Sequence, residues 1–393
     1  MHTGSTKSAP FDLGISKSNG ELRLPKRDWL LLPAISLVTL AALLGSSEVV
    51  ARVLYPAAIG DSCYVQGAGT DARFRPNCKS RSKTAEGPWV DNSYNECGYR
   101  TRESCASKPP GTLRVAVLGS SFSYGFMTPY DTAYTTVAGQ LLAKQCRRPV
   151  EFQNLGVYGI GMLDVYHRTD EALALKPDVL LLAFSAFDLI PEISPDKMAQ
   201  RDNLIPGTLK HQNRPDPGSW IKNFIVTPLK ESRAITMLQH FMYQNPETYT
   251  NLFMYYGDNA DYVRTPLSQR WRQRFSNLDV LIEGIHKRAD AASVPMVVLV
   301  GAMPSQVALV NSPLRSGVDP YVFGTEVTQI ASKYNVLTVN PLPDFANRPD
   351  AMALVYPVDG HVAPQGQKVV AEELSRRILS SGLAAFSESN KTE

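Results

Sequence analysis

The sequence predicts an α/β fold, a mostly parallel sheet flanked by helices, with an N-terminal transmembrane helix. Three observations carry this. Short apolar runs such as Leu113–Gly119 and Pro177–Ser185 read as strands covered on both faces. Segments with helical spacing of apolar residues alternate with them. One uncharged apolar stretch near the N-terminus stands apart from both.

In chain order, residues 1–28 are polar and are expected to form a disordered cytoplasmic tail. No charge occurs between Asp28 and Glu48, so residues 29–55 are expected as a signal anchor. Lys26 and Arg27 on the N-terminal side place that end in the cytoplasm and the rest outside. A cleaved signal peptide fits less well, because the charged region is long and no A-x-A site follows. A buried core helix with Pro33 at its start is the plainer alternative.

Residues 56–110 read as an irregular approach segment closed by Lys108-Pro-Pro-Gly111. It holds Cys63, Cys78, Cys97 and Cys105. Four cysteines allow three pairings, the simplest being 63 with 78 and 97 with 105. Zinc is disfavoured, with no C-x-x-C pair and no neighbouring His. Disulfides agree with an extracytoplasmic location. Cys146 is left over and is expected to be half-buried and structural.

The domain is expected over 111–383, with 384–393 as a tail. Strands are predicted at Leu113–Gly119, Val150–Gly156, Pro177–Ser185, Pro295–Pro304 and Val336–Asn340. Helices are predicted at Thr132–Cys146, Met162–Lys176, Pro266–Ala292, Phe323–Tyr334 and Gln365–Leu379. From about 191 to 265 the alternation lapses. A stretch that long is expected to be an insertion or lid, with a helix near Ala234–Tyr243. Its aromatic residues, among them Trp220, Phe224, Phe241, Tyr243, Tyr249, Phe253, Tyr255 and Tyr256, suit either sugar stacking or a small core.

Composition excludes some functions. Of the 393 residues 20% are charged and the net charge is only +3, with both signs mixed, so nucleic acid is not an expected partner. No metal or organic cofactor is implied.

In an open parallel sheet, chemistry gathers beyond the carboxyl ends of the strands. Three segments there carry unusual residues. Gly119-Ser-Ser121-Phe-Ser-Tyr-Gly125 puts a serine where unpaired backbone N–H groups can hold an anion. Asn154-Leu-Gly-Val-Tyr-Gly159 lets the main chain approach a ligand. Asp359-Gly-His361 precedes the last helix; there a carboxylate orients an imidazole that can take a proton from serine. The plain readings are a helix-capping serine, a loop glycine and a surface histidine. His2, His167, His211, His240 and His286 fit that last description better, since none combines a neighbouring Asp with a strand-to-helix turn.

The order and context of these segments resemble the SGNH, or GDSL-type, hydrolase superfamily, over roughly Asn95 to Leu379. Its layering is flavodoxin-like. The resemblance puts the nucleophile on Ser121, with His361 as base and Asp359 orienting it. The oxyanion N–H groups would be those of Ser121 and Gly159, with Gly156 the weaker choice. Asp359-Gly-His361 resembles the D-x-H form of envelope acetyltransferase relatives. The approach Asn95-Glu-Cys-Gly-Tyr-Arg resembles the segment preceding the first block in membrane-anchored members. Two positions depart. Ser120 stands where the family has aspartate. Ser185-Ala-Phe187-Asp188 stands for G-x-N-D, and Phe187 has no amide to donate. Losing one such donor typically costs about 10²–10³ in rate. Asp188 is expected to bind loop backbone.

The resemblance implies a membrane-anchored esterase or O-acyltransferase outside a bacterial cytoplasmic membrane. Its partner would be an acylated, most simply acetylated, envelope polysaccharide, within polysaccharide machinery. The alternative is a catalytically weak glycan-binding or assembly subunit on the same fold.

Overall fold

The computed structural model describes residues 27–58, 60–65, 72–190, 232–254, 257–313 and 315–386. The expected tails before 27 and after 386, and residues 191–231 of the expected insertion with Trp220 and Phe224, lie outside these, as do Tyr255 and Tyr256. The chain divides into a unit of residues 1–49 and a unit of residues 50–393.

Helix α1, Asp28–Leu54, is long and apolar enough to cross a membrane, with mean hydropathy 2.0 over its best window. Ser46 and Ser47 donate to the carbonyls of Ala42 and Leu44. Their hydroxyls are thus satisfied within the helix.

After the end of α1, the second unit runs into the segment expected to be irregular. It instead holds two small antiparallel sheets. Strands β1 (Tyr64–Val65) and β2 (Arg73–Phe74) form one, β3 (Lys79–Ser82) and β4 (Val90–Ser93) the other. These strands are two to four residues long, too short for a periodic signal. Cys63 pairs with Cys78 and Cys97 with Cys105, across Cα separations of 5.8 and 6.2 Å.

The domain proper opens with β5 (Leu113–Gly119), α2 (Ser121–Tyr124), α3 (Tyr134–Cys146), β6 (Val150–Asn154), α4 (Met162–His167), α5 (Thr169–Ala174) and β7 (Val179–Phe184). Then come α6 (Arg233–Met242), α7 (Pro246–Phe253), α8 (Gln269–Ala291), β8 (Met296–Val300), α9 (Pro304–Val310), α10 (Val322–Ser332), β9 (Leu337–Val339) and α11 (Pro364–Ser380). All five strands from β5 to β9 are parallel, in the order β6-β5-β7-β8-β9.

Alternation along the strands builds two cores. Leu118, Leu180, Leu182, Phe184, Val298 and Val300 face one side, with Trp271 and Phe275 of α8 and Phe323 of α10. Val115, Val117, Leu181, Ala183, Val297 and Leu299 face the other, with Ala138 and Leu142 of α3 and Val370 and Leu374 of α11. That two-sided burial explains why the strands read as continuous apolar runs.

Several boundaries differ from expectation for identifiable reasons. The predicted helix over 162–176 breaks at Arg168, which is buried and turned inward to bond the Leu155 carbonyl and the Glu171 carboxylate. The strand predicted to reach Pro304 ends at Val300, because Pro304 takes the first position of α9. The strand predicted to Gly156 ends at Asn154, whose side chain folds back to accept the Gly156 N–H at 2.9 Å. Cys146, outside the two disulfides, is half-buried as expected.

Candidate active site

The sheet reverses direction of build at β5: the chain first adds β6 on one side and then β7 on the other. Ligands in such sheets bind beyond the carboxyl ends at this switch point. Here those ends are Gly119 of β5 and Phe184 of β7.

Gly119 permits the turn after β5. A Cβ there would lie 2.1 Å from the Ala183 carbonyl oxygen and 1.7 Å from Ser123 Oγ. Three serines follow, and their surroundings separate them. Ser120 is buried and donates its hydroxyl to Asp188, across the switch point. Ser123 is fully buried and donates to the Ala183 carbonyl at 2.7 Å. Ser121 is half-exposed, and its hydroxyl makes no hydrogen bond among the described residues. Of the three, it alone has a hydroxyl available to a substrate.

Asp188 accepts from the Ser185 N–H at 2.7 Å and from its hydroxyl at 3.0 Å, as well as from Ser120. This matches the expected loop-binding role, and adds a brace between the loops after β5 and β7. Burial raises its pKa, opposed by the Ser120 and Ser185 donors and by the nearby His361. Ser120, which stands where the resemblance has aspartate, thus presents a donor to this carboxylate.

Asp359 and His361 stand on a tight turn before α11. Tyr356 N–H bonds the His361 carbonyl at 2.7 Å, and Gly360 N–H bonds the Tyr356 carbonyl at 2.8 Å. His361 Nδ1 donates to Asp359 Oδ1, the carboxylate being able only to accept. Both side chains are partly open to solvent. The His361 ring packs on Phe126 with centroids 5.1 Å apart, and Phe126 N–H bonds the Ser121 carbonyl at 3.1 Å. The C-terminal imidazole and the Ser121 turn are therefore neighbours. No Ser121–His361 side-chain hydrogen bond is formed; such bonds often tighten only in the complex with substrate.

The loop after β6 reaches the same place. A Cβ at Gly156 would lie 2.5 Å from Tyr124 N, so only glycine permits that approach. Its N–H is already used by Asn154. Asn154 also donates to the Ser123 carbonyl at 2.8 Å. Gly159 is exposed at φ +78°, and its N–H has no protein partner among the described residues. Next to it, Tyr158 packs on Phe126 at 5.2 Å. Phe126 thus touches both Tyr158, beside Gly159, and the His361 ring.

Phe187, where the resemblance has asparagine, is 45% exposed. Its ring lies over Gly360: a Cβ there would be 3.1 Å from Phe187 Cε2. It walls a cavity of about 240 Å³ with Tyr243, Tyr249, Phe253, Pro357 and Val358. Tyr249 and Phe253 lie on α7, a helix the sequence reading missed; α6 covers the predicted helix near 234–243.

Two charged residues of the approach segment were not among the sequence candidates. Arg100, buried, donates to the carbonyls of Tyr124, Gly125 and Thr128, which closes the C-terminal end of α2. Its charge also lies 4.6 Å over the Tyr124 ring. Burial pushes the Tyr124 hydroxyl up to about 12. Glu86 accepts from the N–H groups of Val358 and Asp359. Neither residue sits in a periodic element, so no local pattern marks them. Among the described residues no cluster of His, Cys, Asp and Glu could hold a metal ion.

No protein-family model and no curated protein sequence matches the chain. Among solved structures it is similar to a lipase/acylhydrolase from Enterococcus faecalis, at 12% identity and TM-score 0.37, over 68% of this chain and 95% of that one. A member of the lipolytic protein G-D-S-L family from Veillonella parvula is similar at 11% identity and TM-score 0.35, over 67% and 97%. An acetyl xylan esterase is similar at 12% identity and TM-score 0.37, over 68% and 100%.

Proposed function

We propose that the chain is an SGNH-type serine ester hydrolase or O-acyltransferase, anchored by α1 with its domain outside the cytoplasmic membrane. The observation that carries this is the meeting of the Asp359–His361 pair with the turn bearing Ser121, through Phe126. Ser121 Oγ attacks the acyl carbonyl while His361 Nε2 takes its proton. Asp359 accepts from Nδ1–H and stabilises the imidazolium. The N–H groups of Ser121 and Gly159 hold the oxyanion. Collapse breaks the ester bond, the proton passes from His361 to the leaving alcohol, and Ser121 carries the acyl group. Water then gives an esterase and a sugar hydroxyl a transferase.

The substrate we infer is an acyl ester, most simply acetyl, on envelope polysaccharide. The apolar helix and two disulfides support an extracytoplasmic setting. The ring-lined cavity beside Asp359 supports a carbohydrate acceptor. The test is labelling of the full-length protein in detergent with a fluorophosphonate, followed by peptide mapping. An adduct on the peptide containing Ser121, confined to that serine, is the expected result. An unlabelled protein that still binds envelope polysaccharide would favour the second reading, a glycan-binding or assembly subunit, which Phe187 motivates.

Phe187 also gives a graded prediction. Its exposure makes substitution cheap for the fold. Phe187→Asn introduces an amide donor beside the oxyanion and is expected to raise kcat for an aryl acetate by up to about 10²-fold. An unchanged or lower kcat would mean that the ring, rather than the missing amide, matters at this position.

A further inference from the structure

The turn that carries Asp359 and His361 leaves two backbone donors facing inward. Within it, Tyr356 N–H and Gly360 N–H are satisfied by the turn's own carbonyls. Pro357 has no N–H. Val358 and Asp359 N–H groups find no acceptor in the turn, and both point at one side chain from about 270 residues upstream. Glu86 Oε2 accepts from Asp359 N–H at 2.6 Å, and Oε1 from Val358 N–H at 3.3 Å. The Glu86 side chain is 2% exposed. Its Oε1 also lies 2.7 Å from His240 Nδ1 on α6. A carboxylate only accepts, so His240 Nδ1 carries the proton there.

We infer that Glu86 is a positioning residue for the reaction: it fixes the backbone of Val358 and Asp359 so that the Asp359 carboxylate aims at His361. The inference rests on reading Asp359 and His361 as the catalytic pair. Charge-assisted bonds to backbone N–H are roughly twice as strong as neutral ones. Two such bonds hold the residue whose oxygen must meet an imidazole within a fraction of an ångström. His240 adds a third bond to the same side chain. One side chain of the disulfide-bonded approach segment therefore ties α6 to the catalytic turn. This gives that segment a role in catalysis rather than only in anchoring.

The experiment compares full-length wild type, Glu86→Gln and Glu86→Ala in detergent, with kcat and KM for 4-nitrophenyl acetate measured separately. Circular dichroism at the assay temperature reports whether each protein is folded. Folded Glu86→Ala is expected to lose roughly 10- to 100-fold in kcat with KM within about twofold. Glu86→Gln keeps one acceptor oxygen and is expected to recover most of that loss. Should Glu86→Ala fail to fold, a kcat deficit of about three- to tenfold in folded Glu86→Gln, with KM within about twofold, carries the same inference. Wild-type kcat in the folded variants would overturn it while leaving the esterase reading intact. A wild type that shows no turnover dependent on Ser121 would overturn the esterase reading and this role with it.

Discussion

Ser121→Ala is expected to lower kcat for an aryl acetate by about 10³- to 10⁴-fold, with the protein folded as the wild type is. Removing the nucleophile from a complete serine triad costs about 10⁶ in kcat. The expected loss is smaller here because Phe187 offers no donor, and an absent oxyanion donor has already removed about 10²–10³. The neighbouring serines are poor substitutes. Ser120 is committed to Asp188, and Ser123 is buried against the Ala183 carbonyl. The measurement is initial-rate hydrolysis by full-length protein against buffer alone. Equal rates for variant and wild type would dismiss Ser121 as the attacking group.

Gly119→Ala is expected to be the most destructive single methyl in the domain. The added carbon would sit 2.1 Å from a carbonyl of β7 and 1.7 Å from Ser123 Oγ. Neither can retreat easily. Ala183 pairs with Gly119 in the central sheet, and Ser123 is held on that same carbonyl. Separating β5 from β7 to make room would open both cores, at a cost of about 4 kcal/mol or more. Chemical denaturation should show either no cooperative transition or a midpoint far below wild type. A variant of native stability would mean that the turn after β5 is not packed as described.

Much of this was readable from residue order. The paired-face burial of Val115 to Leu118 and of Leu180 to Ala183 appears as unbroken apolar runs, and the runs recur with helices between them. The cysteine pairing coincides with the simplest of three. The segments holding Gly119 and Ser121, Gly159, and Asp359 with His361 are marked by their places just past a strand or before a helix, while the choice of Ser121 and Gly159 within them is what the resemblance implies. Other features left no trace. The short strands of the approach segment lack the length for a period. The break at Arg168 depends on a carbonyl of another loop.

The sequence by itself determined the period and burial of the strands and helices, the apolar α1, and which residue types end the strands. These follow from each residue's own chemistry and that of near neighbours. Only the tertiary structure decided which of three serines keeps an available hydroxyl, that Ser120 answers Asp188, and that Glu86 reaches Asp359. Those outcomes depend on hydrogen bonds and ring contacts between segments tens to hundreds of residues apart. Such contacts form only after packing has fixed the distances, so no window of local sequence contains them.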